Sequence, residues 1–360
     1  MEHKSHSLRE LRTVEPDWST EELMARIARA LVADGYALSM TPIEETHVDS
    51  HIAMVISTTG TSGVSKKVGL TASALLHSAR ASNAAINAQF GEIWSLLLPT
   101  THIAGVNVLI RSLELGTIPV SPHDGKYPRA DFSAIVPAQL FSALHGDDAL
   151  LHHLQSAKTV LVGGASLDQS LRQLAHDNGI NVVTTYGSTE TSGGCIYDGV
   201  PLEGVKVKLL DEVVAISGKT LAHSYLSSEI ELLDSEGWYR TQDIAHWDNE
   251  KIIIDGRVDD VVISGGYNVS LRGVEAAITH ALPHLQIAAI ATDHPQWGKV
   301  ISLAIVANES AELREEITRM IESAFHGEVH IHNFVFLDAL PLMGIGKVDY
   351  TQLRARVQGK

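Results

Sequence analysis

Apolar residues recur at Leu23, Ile27 and Leu31, the spacing of one helix face, and predict an amphipathic helix. Ser19 with Glu22 three positions on makes a capping box that opens it, and Gly35 closes it. The short apolar run 52–57 (IAMVIS) predicts a buried strand. A loop of glycine, serine and threonine at 58–65 follows, and then an alanine-rich helix over 71–88. Residues 1–18 are polar and predict irregular chain.

The same rhythm continues. Strand-like runs fall at 94–98, 117–120, 132–136, 159–162 and 181–185, and helix-like stretches at 103–114, 138–145 and 167–178. Alternation of strands and helices predicts an α/β fold with a mainly parallel, layered sheet. After about residue 200 the texture changes to short paired strands over 205–233 (VKVKLL, EIELL), with another at 251–255. Beyond 258 the pattern is compact α+β: helix 270–282, strands 286–292 and 300–306, helix 309–325, strand 329–337. A boundary is placed there, giving domains 1–258 and 259–360.

Length and composition fit this division. At 360 residues the chain exceeds one ordinary domain, and 44% hydrophobic residues supply a sizeable core. The net charge of −16 argues against a nucleic-acid binder, which needs a basic face. No apolar run is long enough for a membrane span. The single cysteine, Cys195, and polar first residues without a signal peptide favour a cytoplasmic location.

Four segments carry candidate chemistry. In STTGTSGVSKKV (57–68), which reads as following a strand and preceding a helix, Gly60 and Gly63 allow a tight turn that presents amides to an anion. Thr58, Thr59, Thr61 and Ser62 add hydroxyls and Lys66 adds charge, although the Gly-Lys-Ser/Thr ending of a Walker loop is missing. In TTYGSTETSGG (184–194), Tyr186 is suited to stack on a flat base and Glu190 to hold a hard cation such as Mg2+. In the stretch 237–270, Asp243 is a candidate for the two hydroxyls of a ribose and Arg257 for the same sugar or a phosphate; a surface ion pair is the plainer alternative. In PLMGIGKVDY (341–350), Lys347 lies in a glycine-flanked loop that can enter a site and neutralise phosphoryl charge.

The order and spacing of these segments resemble the adenylate-forming superfamily of acyl-CoA synthetases, luciferases and peptide-synthetase adenylation domains. The resemblance covers roughly residues 50–350: the phosphate loop, Tyr-Gly-x-Thr-Glu, Tyr-Arg-Thr-x-Asp, Gly-Arg-x-Asp-Asp with its Gly-Gly, and a late Gly-Lys. It implies a large N-terminal domain and a small mobile C-terminal domain. It also implies ATP, Mg2+ and coenzyme A as cofactor and substrates.

Residue by residue, the resemblance implies that Thr58, Thr59, Gly60, Thr61, Ser62, Gly63 and Lys66 hold the β- and γ-phosphates of ATP. Gly164, in VGGASL, borders the adenine and acyl pockets. Tyr186 stacks on adenine beside Gly187, Thr189 meets the α-phosphate, and Glu190 ligates Mg2+. Asp243 and Arg257 bind ribose, Asp259 is the hinge, Lys347 serves adenylation, and Gly265 and Gly266 line the pantetheine tunnel.

Departures bear on the acid. Ser65 stands where a proline is usual, Lys67 and Gln242 where glycines are usual, and only about 55 residues precede the loop, so an N-terminal subdomain is expected to be reduced. This shortness, with LPTTHIAGVNVLIRSLELGTIPV (98–120) and DDVVISGGYNV (259–269), resembles the compact actinobacterial o-succinylbenzoate–CoA ligases of menaquinone biosynthesis. His102 and Ser188 then fall beside the acyl group. Arg111 is a candidate for a second carboxylate, with a helix-surface position as its competitor.

Among the 19 histidines, His330 and His332 share a strand face without a third ligand, and His152 and His153 are read as solvated. Cys195 has no catalytic partner pattern and reads as structural. The expected partners are ATP, an aromatic carboxylic acid, CoA and a second copy of the chain as a homodimer. Three alternatives stand: a CoA ligase for another aromatic or fatty acid, an adenylation enzyme loading a carrier protein, and a non-catalytic scaffold. The second is disfavoured because no carrier domain follows residue 350, and the third because the charged motif residues are all present.

Overall fold

The structure, a computed structural model, describes residues 7–59, 65–264, 267–294, 298–327, 329–343 and 348–358. The chain forms two compact units. The first comprises Met1–Ala165, Ala175–Lys208 and Ala215–Arg240; the second comprises Ser166–Leu174, Leu209–Val214 and Thr241–Lys360.

The first unit holds two six-stranded sheets. One orders its strands Ser224–Tyr225, Ser65–Thr71, Ile52–Thr59, Ala37–Ser39, Leu8–Thr13 and His47–Asp49. The other orders Val200–Pro201, Gly193–Tyr197, Val182–Ser188, Thr159–Gly163, Phe132–Ile135 and Trp94–Ser95. Its last four strands run parallel, as the alternation predicts. Helices Ala72–Ala85 and Ile103–Leu115 pack on each other; the first touches strands of both sheets and the second touches strands Trp94–Ser95 and Gly193–Tyr197. Both helices add buried side chains, Leu75, Ala79, Val106, Leu109 and Ile110, to the apolar interior that covers the first sheet.

Helix Thr20–Leu31 begins where the capping box places it, with the Ser19 hydroxyl accepting from the Glu22 amide at 3.2 Å. Its apolar stripe, Leu23, Ile27 and Leu31, is buried in that interior. Ile27 has no exposed surface, and full burial of such a side chain contributes about 1.5–3 kcal/mol.

In the second unit, strand Ile287–His294 pairs antiparallel with Gly298–Val306, which pairs parallel with Ile331–Leu337. Helices Leu271–Ala281 and Ala311–Ala324 bury Val274, Ile278, Ile317 and Ile321 against Ile301, Leu303 and Ile305. Strands Tyr239–Asp248 and Lys251–Arg257 form an antiparallel hairpin. The contact division falls at 240/241 and takes this hairpin, apart from Tyr239 and Arg240, into the second unit.

Four expectations change. Residues Leu8–Thr13 form a strand paired parallel with Ala37–Ser39; backbone pairing overrides the polar side chains. The 58–65 loop does not lead into a helix but into strand Ser65–Thr71, antiparallel to Ile52–Thr59. Its two lysines conceal the alternation that Val68 and Leu70, both buried, complete. Run 117–120 contributes only a bridge from Val120 to Ser95, because Pro119 cannot donate to a ladder. EIELL at 229–233 is a series of bends that lays Leu232 over the core, not a strand. Helices Asp148–Ser156 and Tyr350–Gln358 lie beyond what the periodicity signals.

Candidate active site

The hairpin Ile52–Thr59/Ser65–Thr71 sets the first segment. Thr58 faces Lys66 across the ladder, and the Thr58 hydroxyl donates to the Lys66 carbonyl at 3.3 Å. Gly60, Thr61, Ser62 and Gly63 lie outside the described residues, as does the side chain of Thr59. Successive strand side chains point to opposite faces. Lys67 accordingly reaches Glu45, its ammonium 2.7 Å from both carboxylate oxygens, while Lys66 places its ammonium 4.9 Å over the Tyr225 ring. The Lys67 hydrogen bond, aided by one from Ser227, holds the Glu45 carboxyl below the usual carboxylate range.

The second segment ends strand Val182–Ser188, passes through the single turn Thr189–Thr191, and returns as Gly193–Tyr197. The glycines here answer to space. A Cβ on Gly187 would lie 2.1 Å from the Gly193 carbonyl oxygen, because the two strands cross closely as they pair. Three side chains lock the turn: the Thr191 hydroxyl accepts from the Ser188 amide at 2.8 Å, and Ser78 and Asn107 each donate to the Ser192 carbonyl at 2.9 Å. Ser192 itself takes a left-handed φ of 53°. Gly164, at φ 83°, follows strand Thr159–Gly163, which pairs parallel with the strand carrying Tyr186. The structure thus gathers Gly164, Tyr186, Gly187, Ser188, Thr189 and Glu190 at the carboxyl ends of neighbouring parallel strands, where open α/β sheets bind ligands.

Glu190 is 9% exposed. Its Oε1 accepts from the Tyr225 hydroxyl at 3.0 Å. Burial and the neighbouring Glu190 charge push the Tyr225 phenol far up, so it stays protonated and donates. This arrangement fits a hard cation. Mg2+ takes one or two protein carboxylates and completes its shell with waters and substrate phosphates. Among the described residues no group of three His, Cys, Asp or Glu gathers.

Tyr225 is absent from the sequence reading. It sits 35 positions beyond Glu190 on the two-residue strand Ser224–Tyr225, an edge pairing that no local pattern reveals.

His102 precedes helix Ile103–Leu115 without capping it through its side chain. A Cβ on Gly105 would lie 2.2 Å from the Pro99 carbonyl oxygen, so the Pro-x-x-His-Ile-Ala-Gly turn requires glycine there. Arg111, on the same helix, is not at the surface: it is 4% exposed. Its guanidinium donates to the Tyr197 hydroxyl at 3.2 Å and lies 5.0 Å over the Trp94 ring. No carboxylate faces it among the described residues, and its Nε has no hydrogen-bond partner. Cys195 is buried, and burial pushes its thiol up to about 12.

In the second unit Asp243 and Arg257 are direct cross-strand partners, 3.4 Å apart. The Thr241 hydroxyl donates to the Val214 carbonyl at 2.9 Å and accepts from the Asp243 amide at 3.0 Å, which fixes the backbone beneath Asp243. Asp259 lies in the turn Val258–Asp260, its side chain outside the described set. Gly265, Gly266 and Lys347 also lie outside the described residues. No described helix is long and apolar enough to cross a membrane.

Residues 3–237 match the family described as AMP-binding enzyme. The chain is 34% identical over 341 residues to the probable 2-succinylbenzoate–CoA ligase of Mycobacterium tuberculosis, covering 87% of this chain and 86% of that one. It is 27% identical to the 2-succinylbenzoate–CoA ligase of Escherichia coli K12, over 82% of this chain and 70% of the other. Among solved structures, o-succinylbenzoate CoA synthetase from Bacillus subtilis, in complex with the acyl-adenylate intermediate OSB-AMP, shares the fold. Its TM-score is 0.74 at 20% identity, over 96% of this chain and 83% of that one. The anthranilate CoA ligase AuaEII shares it equally, with a TM-score of 0.76 at 18% identity over 96% and 82%.

Proposed function

The chain belongs to the AMP-binding enzyme family, and from that premise we propose that it joins o-succinylbenzoate to coenzyme A at the expense of ATP, a step of menaquinone biosynthesis. The observation that carries the choice of acid is Arg111, a buried cation with no carboxylate opposite it among the described residues. o-Succinylbenzoate has two carboxylates. One is activated, and the other needs a buried positive partner, since a charge taken from water must be paired. The names of the relatives support the same acid.

In the first half-reaction a carboxylate oxygen of the acid attacks the α-phosphorus in line and pyrophosphate leaves. No protein nucleophile is required, so the work of the residues is positioning and charge compensation. Thr58 to Lys66 would hold the outer phosphates, Tyr186 and Gly187 the adenine, and Thr189 the α-phosphate. Glu190 would hold Mg2+, which supplies charge neutralisation at the phosphates. Asp243 and Arg257 would grip the ribose, and Lys347 would offset charge at the reacting phosphoryl group. His102 and Ser188 would bound the acyl group near Gly164.

In the second half-reaction the CoA thiolate attacks the acyl carbon and AMP leaves. The proposal divides the chain at 258/259: residues 259–360 rotate about Asp259, withdraw Lys347 and bring Gly265 and Gly266 to the pantetheine arm. A cytoplasmic homodimer completes the reading, and sizing of the purified chain checks the dimer.

Mass spectrometry of the products tests the whole. With ATP, CoA and o-succinylbenzoate, the expected products are one AMP per o-succinylbenzoyl-CoA. AMP without any thioester would contradict the transfer to CoA.

A further inference from the structure

Lys66 and Glu190 belong to two different motifs and carry opposite charges, yet they do not pair. Both instead contact Tyr225, whose hydroxyl donates to Glu190 Oε1 at 3.0 Å and whose ring face lies 4.9 Å beneath the Lys66 ammonium. The backbone around Tyr225 is tied to both motifs. The Ala222 amide donates to the Glu190 carbonyl at 2.8 Å, the His223 amide to the Gly69 carbonyl at 2.8 Å, and the Leu226 amide to the Lys67 carbonyl at 2.8 Å. Segment 222–226 therefore spans from the Glu190 turn to the strand that carries Lys66, and Tyr225 lies within it.

We propose that Tyr225 is a positioning residue of the adenylation site: its hydroxyl turns Glu190 so that one oxygen is left for a divalent cation, and its ring holds Lys66 clear of that carboxylate. The inference rests on the reading of Glu190 as the carboxylate that holds Mg2+.

Energetics show why such a separator is needed. Two unit charges 4 Å apart near a protein surface attract by about 4 kcal/mol, whereas a cation over an aromatic ring gains roughly 0.5–2 kcal/mol. Without the ring, the Lys66 ammonium and the Glu190 carboxylate lose the neutral group that both contact, and a direct pair between them would occupy both the metal carboxylate and the phosphate-binding cation. With it, each charge keeps a partner weak enough to leave it available to ATP and its metal. A carboxylate oriented by a neighbouring donor is also the usual support for a metal ligand.

The test is Mn2+ affinity, read by electron paramagnetic resonance on the full chain loaded with α,β-methylene-ATP. Tyr225→Phe keeps the ring and loses the hydroxyl; by the general cost of removing an outer partner of a metal ligand, its Mn2+ affinity should fall about 10-fold. Its KM for Mg-ATP should rise while kcat at saturating metal returns to the parent value. Tyr225→Leu loses both contacts and should fall further, and adding Lys66→Met to it should restore Mn2+ affinity toward the Tyr225→Phe level. Glu190→Gln separates the two readings. If Glu190→Gln binds Mn2+ as the parent does, the metal role of Glu190 fails and the inference falls with it. If Glu190→Gln weakens Mn2+ while Tyr225→Phe and Tyr225→Leu bind it as the parent does, Glu190 keeps its role and Tyr225 has none.

Discussion

Arg111 donates to the Tyr197 hydroxyl at 3.2 Å, and Tyr197 in turn bonds Ser82 at 2.6 Å, so among the described residues neutral groups fix the guanidinium in the interior. Under the proposed function, this buried cation pairs with the second carboxylate of the substrate. Truncating one partner of a buried charge pair costs about 2–5 kcal/mol. Arg111→Met should therefore lower kcat/KM for o-succinylbenzoate by roughly 30- to 4,000-fold, at 1.4 kcal/mol per factor of ten. The same variant should leave kcat/KM for benzoate, which has a single carboxylate, close to the parent value. Parallel loss for both acids would assign Arg111 to packing.

Lys347 is expected to act in one half-reaction only. Lys347→Ala should slow acyl-adenylate formation by about 100- to 1,000-fold, the range for groups that stabilise transition-state charge. Thioester formation from supplied acyl-adenylate should proceed at the parent rate. Rapid-quench measurement of each half-reaction checks this, and equal losses in both would remove Lys347 from the mechanism.

The Lys67–Glu45 pair, with side chains 27% and 19% exposed, gives the fold an acid limb. The folded-state carboxyl of Glu45 is lowered by its bond to Lys67, so the unfolded chain binds the proton more readily. The stabilisation is complete above the unfolded value, for which 4.5 is the ordinary figure, and is lost as pH falls through the lower folded value. Lys67→Met should melt below the parent at neutral pH, and the two melting curves should converge in acid. A constant gap across pH would show that the pair contributes no linkage.

Cys195 supplies a probe of the turn it follows. With its thiol pushed up to about 12 by burial, the native chain holds almost no thiolate at pH 8. Iodoacetamide should label it slowly in the folded chain and quickly in denaturant. Fast labelling of the native chain would place the 193–197 strand at the surface.

Much of this arrangement is legible along the chain. The parallel strands from Trp94 to Ser188 follow from apolar runs alternating with helical stretches, and the Ser19 cap follows from its spacing to Glu22. What escapes is pairing between distant segments. Strand Ser65–Thr71 hides because Lys66 and Lys67 interrupt its apolar alternation, and each lysine has a partner that only the fold supplies. Tyr225 escapes because a two-residue edge strand has no period of its own. Arg111 reads as a possible surface residue because a charge on an otherwise apolar helix cannot declare which way it faces; the Trp94 ring and Tyr197 hydroxyl that receive it come from other elements.

Pyrophosphate release across a panel of acids, each with and without CoA, bears most directly on the central claim. ATP-dependent release is expected with o-succinylbenzoate at a kcat/KM far above those for benzoate, anthranilate and fatty acids. Steady turnover is expected only when CoA is present. A monocarboxylic acid that outperforms o-succinylbenzoate, or turnover indifferent to CoA, would contradict that claim.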